Sequence, residues 1–111
     1  MKIIAPWGEH VVLDEGINFK VKKLTIRHDR RISLQIHAKR AEKWTILSGE
    51  GEAEVMGRKF AVAARDTVSI PMGEPHRLTC VGREPLVVLE AQFGVCDETD
   101  IVRLQDDYGR A

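Results

Sequence analysis

Gln35 and His37 stand two apart in the run Ile32-Ser33-Leu34-Gln35-Ile36-His37, where apolar and polar residues alternate. Alternate side chains of a strand share a face, so this amide and imidazole point the same way as neighbouring lone-pair donors. Glu42 follows five residues after His37, then Trp44, and Gly49 comes seven residues after Glu42. Far downstream, Pro71-Met72-Gly73-Glu74-Pro75-His76 supplies another imidazole just past a glycine-proline turn. A further polar pair, Glu90 and Gln92, has the parity of Leu86 and Val88. If that face lines a cavity, Glu90 is desolvated, and a carboxyl with a raised pKa suits a base. Lys22 has the parity of Leu24 and Ile26, which aims it at an interior as well.

The elements that must position these groups are short apolar runs rich in Val, Ile, Leu or Thr and closed by Gly, Pro or Asp. They lie around 10–13, 19–26, 32–37, 43–48, 52–56, 59–62, 67–70, 77–81 and 86–93. Strands at this spacing, without long helical windows between them, predict an antiparallel sandwich or barrel. Ser48-Gly49-Glu50-Gly51 and Gly57-Arg58 read as hairpin turns, the second with glycine first. In the tail, Asp97, Thr99 or Asp100 would cap a helix entering Ile101-Val102-Arg103-Leu104.

The 111 residues carry 17 Lys and Arg against 17 Asp and Glu, and no linker or repeat divides them, so one domain over 1–111 is expected. A chain of this size buries roughly 65% of its unfolded surface, enough for a core without staples. Zero net charge offers no overall field for nucleic acid or anionic lipid. No apolar run is long enough to span a bilayer, and MKIIAPWG lacks the h-region and cleavage site expected of a signal peptide, so a cytoplasmic protein is expected. Cys80 and Cys96 fit no metal or redox spacing, which suits a reducing compartment.

His37, Glu42 and Gly49, followed by Pro71, Gly73 and His76, resemble the two motifs of the cupin superfamily, small all-β jelly-roll barrels (double-stranded β-helices) of antiparallel strands. The strings PWG at Pro6, FKVKKLTI at Phe19, SLQIHAKRAEKW at Ser33, SIPMGEPHRL at Ser69, LEAQFG at Leu89 and DIVRLQDDYGR at Asp100 narrow this further. In this order they resemble the type II mannose-6-phosphate isomerase domain, usually the C-terminal part of a bifunctional enzyme that also carries a guanylyltransferase. The resemblance implies one divalent metal held by Gln35, His37, Glu42 and His76, a mixed N/O set that would admit zinc, manganese, iron, cobalt or nickel. It implies conversion of mannose 6-phosphate to fructose 6-phosphate, with Arg40 orienting the substrate or stabilising charge. Glu90, Lys22 or an unligated His would move the proton. Arg77, Gln92, Arg103 and the tail residue Arg110 would hold the sugar phosphate.

This chain departs from the pattern at Ala38, Lys39 and Lys43, where the family usually has histidines, at Arg65 and Cys80, and at Val95-Cys96-Asp97. No Gly-rich phosphate loop is present, so guanylyl transfer is not expected. The lost histidines keep two alternatives open: a non-catalytic cupin that binds a sugar, sugar phosphate or partner protein, and a metal-dependent cupin enzyme of another reaction type, such as a dioxygenase. By the same resemblance, a homodimer covering the open strand edges is expected.

Overall fold

The computed structural model describes residues 1–110. Eleven strands follow one another: β1 (Lys2–Ala5), β2 (Gly8–Gly16), β3 (Phe19–Ile26), β4 (Leu34–Ile36), β5 (Arg40–Ser48), β6 (Glu50–Val55), β7 (Arg58–Ala63), β8 (Thr67–Ile70), β9 (His76–Cys80), β10 (Leu86–Gly94) and β11 (Val102–Gln105). They form a six-stranded sheet in the order β1-β2-β3-β10-β5-β8 and a five-stranded sheet in the order β11-β4-β9-β6-β7. Every pairing is antiparallel. The described residues contain no α-helix, and so none long and apolar enough to cross a membrane.

Period-2 burial explains the layers. Along β10, Leu86, Val88, Glu90 and Gln92 are buried, while Val87, Leu89 and Ala91 are half-buried on the other face. On β5, Trp44 and Ile46 meet them from the next strand, and Leu78 closes the layer from the five-stranded sheet. This apolar core fills one part of the space between the sheets. The polar members of the same inward rows, Lys22, Glu42, His76, Glu90 and Gln92, are buried beside it.

The expected Ser48–Gly51 hairpin is corrected by the register. β5 pairs with β10 and β8, whereas β6 pairs with β7 and β9, so the turn at Gly49 carries the chain from one sheet to the other. Gly49 has φ +89°, and a Cβ there would lie 2.4 Å from the Pro85 carbonyl oxygen. Gly49→Ala combines a left-handed backbone penalty of about 1–2 kcal/mol with that collision, so we expect urea unfolding to show a loss of at least about 2 kcal/mol. A loss within about 0.5 kcal/mol, the range of an ordinary surface change, would refute this account of the corner.

The second turn is displaced by one residue from its expected place. Val55 pairs with Arg58, and the loop is Met56-Gly57 with φ of 54° and 78°. Positive φ at both central positions is the type I′ arrangement, which matches strand twist even though Met occupies the first position.

The tail forms β11 rather than the expected helix. Its backbone pairs with β4, Val102 opposite Ile36 and Arg103 opposite Gln35. Asp97 and Asp100, read as helix caps, cap turns instead. Asp97 Oδ1 accepts from the Thr99 amide and hydroxyl, and the Asp100 carboxylate accepts from the amides of Ala38 and Lys39 at 2.9 Å each. Beyond β11, Tyr108 donates its hydroxyl to the Arg31 carbonyl and Asp107 pairs with Arg31, so the tail lies across the five-stranded sheet.

Candidate metal centre

The register of β4, β5 and β9 brings the sequence motifs together. Gln35 lies opposite His76 across β4 and β9, and Glu42 stands between Arg40 and Trp44 in the inward row of β5. The nitrogen and oxygen donor atoms of His37, Glu42 and His76 all lie within 4.8 Å of one another, and all three side chains are buried.

Hydrogen bonds fix how each imidazole faces. His37 Nδ1 donates to the Asp100 carbonyl at 2.8 Å, and His76 Nδ1 donates to the Glu74 carbonyl at 2.9 Å. Each ring therefore turns its Nε2 toward Glu42, at 3.4 Å from Oε2 for His37 and 3.4 Å from Oε1 for His76. Anchoring of the far nitrogen to a carbonyl is how metal-ligating histidines are held. Glu42 Oε1 and His76 Nε2 are buried without a hydrogen-bond partner. Two such facing lone-pair carriers, removed from water, need a proton or a cation between them.

Arg40 supplies part of that charge. Its Nε donates to Glu42 Oε2 at 3.0 Å, one Nη to His37 Nε2 at 3.2 Å and the other to the Asp97 carbonyl at 3.3 Å. Burial alone pushes the Glu42 carboxyl up, but His76, His37 and Arg40 together outweigh it and bring it down to about 2. Burial lowers His37 and Arg40 adds to this, while in His76 burial is outweighed by Glu42 and the pKa rises. The donors thus offer two imidazole nitrogens and a carboxylate, the three-ligand composition of an open zinc-type site. The residues present fit a divalent ion.

A cavity of about 140 Å³ opens beside this cluster, with Gln35, His37, Arg40, Lys22, Glu90 and Arg103 among its lining residues. Gln35 Nε2 donates to the Ser33 carbonyl, which leaves its Oε1 as the remaining donor atom. Glu90 accepts from Trp44 Nε1 at 3.1 Å and from Gln92 Nε2 at 2.9 Å. Burial first, then the neighbouring Glu42 charge, pushes its carboxyl up to about 7, where it can exchange a proton near neutrality. Gln92, fully buried, supports Glu90 from the cross-strand position of Glu42.

Arg77 is not part of this cavity. It follows His76 on β9 and therefore faces the other way, where it donates to the Ile32 carbonyl and to the carbonyl and side-chain oxygens of Gln105. Its role is to fasten β11, and the expected contact with a sugar phosphate is corrected. Arg110 does line the cavity, with its guanidinium paired to Asp106. Lys22, expected as a proton carrier, donates to Glu98 at 2.8 Å. Sequence reasoning missed Glu98, His10, Trp7 and Ser33, which also line the cavity. The β2 and β3 parities could have pointed to His10, which lies opposite Leu24.

A sequence profile described as Mannose-6-phosphate isomerase C-terminal matches residues 1–106. The chain belongs to this family. It is 40% identical over 110 residues to a mannose-1-phosphate guanylyltransferase of Klebsiella pneumoniae, covering 98% of this chain and 23% of that protein. It is 37% identical to the alginate biosynthesis protein AlgA of Pseudomonas aeruginosa, with the same coverage of 98% and 23%. The chain therefore spans about a quarter of the length of the curated relatives it matches. Among solved structures, the cupin domain of Schizosaccharomyces pombe Cnp3 superposes with a TM-score of 0.74 at 15% identity, over 78% of this chain and 64% of that one. The oxalate decarboxylase of Lactobacillus farciminis, solved as a formate complex, gives 0.82 at 20% identity, over 94% of this chain and 33% of that one. The fold is the cupin jelly roll expected from the motifs.

These comparisons correct the expected reaction. The relatives at 40 and 37% identity are named for guanylyl transfer and alginate biosynthesis, and the chain matches less than a quarter of each. Conversion of mannose 6-phosphate to fructose 6-phosphate, the expected reaction, is accordingly not shown for this chain.

Proposed function

We propose that the chain is a metal-holding cupin domain that binds a phosphorylated sugar, within the mannose-phosphate and polysaccharide-precursor metabolism for which its relatives are named. The observation that carries this reading is the buried pair Glu42 Oε1 and His76 Nε2, which face each other at 3.4 Å and hydrogen-bond to nothing else, with both histidines anchored through Nδ1. His37, Glu42 and His76 would hold the ion, with Gln35 Oε1 as a further ligand beside the cavity. A bound divalent ion would supply Lewis-acid polarisation of a ligand oxygen. Arg40 and Arg103, on the cavity wall, would orient an anionic ligand. Free Cys80 and Cys96 suit the cytoplasm, where such metabolites are made. Pairing of two copies through the open sheet edges remains our reading of its assembly, and light scattering at a single-chain mass would end it.

The test is calorimetric titration of chelator-stripped protein with zinc, manganese, cobalt, nickel and iron(II), followed by mannose 1-phosphate on the loaded protein. We expect one ion per chain and a loss of at least 100-fold in affinity for His76→Ala, about 2.7 kcal/mol. Equal metal affinity in wild type and His76→Ala would overturn the reading.

A further inference from the structure

Lys22 brings an ammonium to the cavity wall with its side chain 6% exposed, and Lys20, two residues earlier on β3, is 14% exposed. Both Nζ atoms converge on one atom, Glu98 Oε1, at 2.8 Å and 3.2 Å. Glu98 is different in kind. It belongs to the segment between β10 and β11, outside any strand, and its side chain is 55% exposed. Two cations drawn out of water thus share a single negative charge from a surface loop. Glu90, the carboxylate across the register from Lys22, is already bonded to Trp44 and Gln92.

One further nitrogen of this corner has no partner. His10 lines the same cavity, and its Nδ1 is buried with no hydrogen-bond partner. Burial lowers the His10 pKa, and the charge of Lys22 lowers it further. Arg103 and Arg110 also line the wall, the latter with its guanidinium held by Asp106.

We propose that Glu98 is an internal stand-in for a ligand's dianionic phosphate, which binds at Lys20, Lys22 and His10 by displacing the Glu98 carboxylate. Two ammonium groups match the two charges of a phosphate monoester, where a carboxylate leaves one unanswered. The three phosphate oxygens would also take up the unused His10 nitrogen, a donor in the Nδ1–H tautomer. Position fits a bifunctional ligand. Lys20 and Glu42 are both cross-strand partners of Gln92, so they lie two strands apart, roughly 10 Å between their backbones at the usual strand spacing. A ligand whose phosphate sits several bonds from its metal-facing oxygens would reach both ends. The inference deepens the sugar-phosphate reading and rests on it for the ligand's second end, while the phosphate subsite stands on its own residues.

The subsite is tested with chelator-stripped protein, so that no metal takes up the anion. Inorganic phosphate, mannose 1-phosphate and mannose are titrated by calorimetry into wild type, Glu98→Gln and Lys22→Met. Removing the internal carboxylate should tighten inorganic phosphate at least tenfold, and Lys22→Met should weaken it at least tenfold. Mannose 1-phosphate should follow inorganic phosphate in both variants, and mannose should respond to neither. Zinc affinity, titrated separately, should be unchanged in Glu98→Gln. Phosphate binding that is no tighter in Glu98→Gln, or that is indifferent to Lys22→Met, would overturn the proposal. If the phosphate responses appear in a protein that binds no metal, the subsite is upheld and the metal reading falls. Metal binding with no phosphate response has the opposite meaning.

Discussion

Glu42→Ala is expected to destabilise the metal-free protein by about 3–5 kcal/mol and to abolish divalent-metal binding. The Glu42 side chain is 1% exposed, and it faces Arg40 Nε, His37 Nε2 and His76 Nε2 at 3.0, 3.4 and 3.4 Å. Deleting it leaves a buried guanidinium with the His37 nitrogen and the Asp97 carbonyl as its remaining acceptors. The penalty is that of an uncompensated buried charge, which exceeds the worth of the pair itself. Removing both charges should therefore cost less than removing one, so Arg40→Met combined with Glu42→Leu should be more stable than Glu42→Ala. Urea unfolding in the presence of chelator, run as a double-mutant cycle, reads this directly. A loss below about 1 kcal/mol, typical of an exposed pair, would show that the cluster is solvated.

The same cluster sets a pH dependence. Glu42 is held below its ordinary 4.5, at about 2, so its contribution is present above 4.5 and is lost as pH falls through about 2. His76 is raised above its ordinary 6.5, so its contribution is complete below 6.5 and is lost as pH rises through the raised value. The cluster is therefore most stabilising between about pH 4.5 and 6.5 in metal-free protein. Glu42→Gln should remove both flanks of that profile. Metal reverses the alkaline flank, because it binds neutral imidazole and gains affinity as His76 loses its proton.

Much of this architecture was legible because strands repeat every two residues. Parity alone put Lys22 with Leu24 and Ile26, Glu90 and Gln92 with Leu86 and Val88, and Gln35 with His37. The same rule also separates Arg77 from His76, since adjacent residues of a strand face opposite ways. That signal was available, and the cupin resemblance outweighed it. Glu98 had no such signal. It sits in a segment without periodicity, and it meets Lys20 from 78 residues away in sequence, so its place beside Lys20 and Lys22 is set by tertiary folding alone. The tail misled for a related reason. Asp and Thr satisfy the free amides of a turn as well as those of a helix start, so their presence does not choose between them. The choice was made by tertiary pairing, as Arg77 and Arg31 hold Gln105 and Asp107 against the sheet.

Trp44→Ala should be at least as damaging as the loss of Glu42, and for a different reason. The indole is 0% exposed, lies edge-on to the His76 ring at 5.7 Å and donates Nε1–H to Glu90 Oε1. Truncation leaves a core cavity costing about 3–5 kcal/mol, and the lost donor strands a buried carboxylate oxygen at about 1–3 kcal/mol more. For a domain whose total stability is about 5–15 kcal/mol, that approaches unfolding. Trp44→Phe separates the two contributions, because it keeps most of the packing and removes only the donor. Its cost should depend on pH. Burial pushes the Glu90 carboxyl up to about 7, and a donor stabilises the ionised form more than the neutral one, so Trp44→Phe should cost more at pH 8 than at pH 5. Chemical denaturation of both variants at the two pH values checks this. A Trp44→Phe penalty that is independent of pH would mean that the indole serves Glu90 by packing alone.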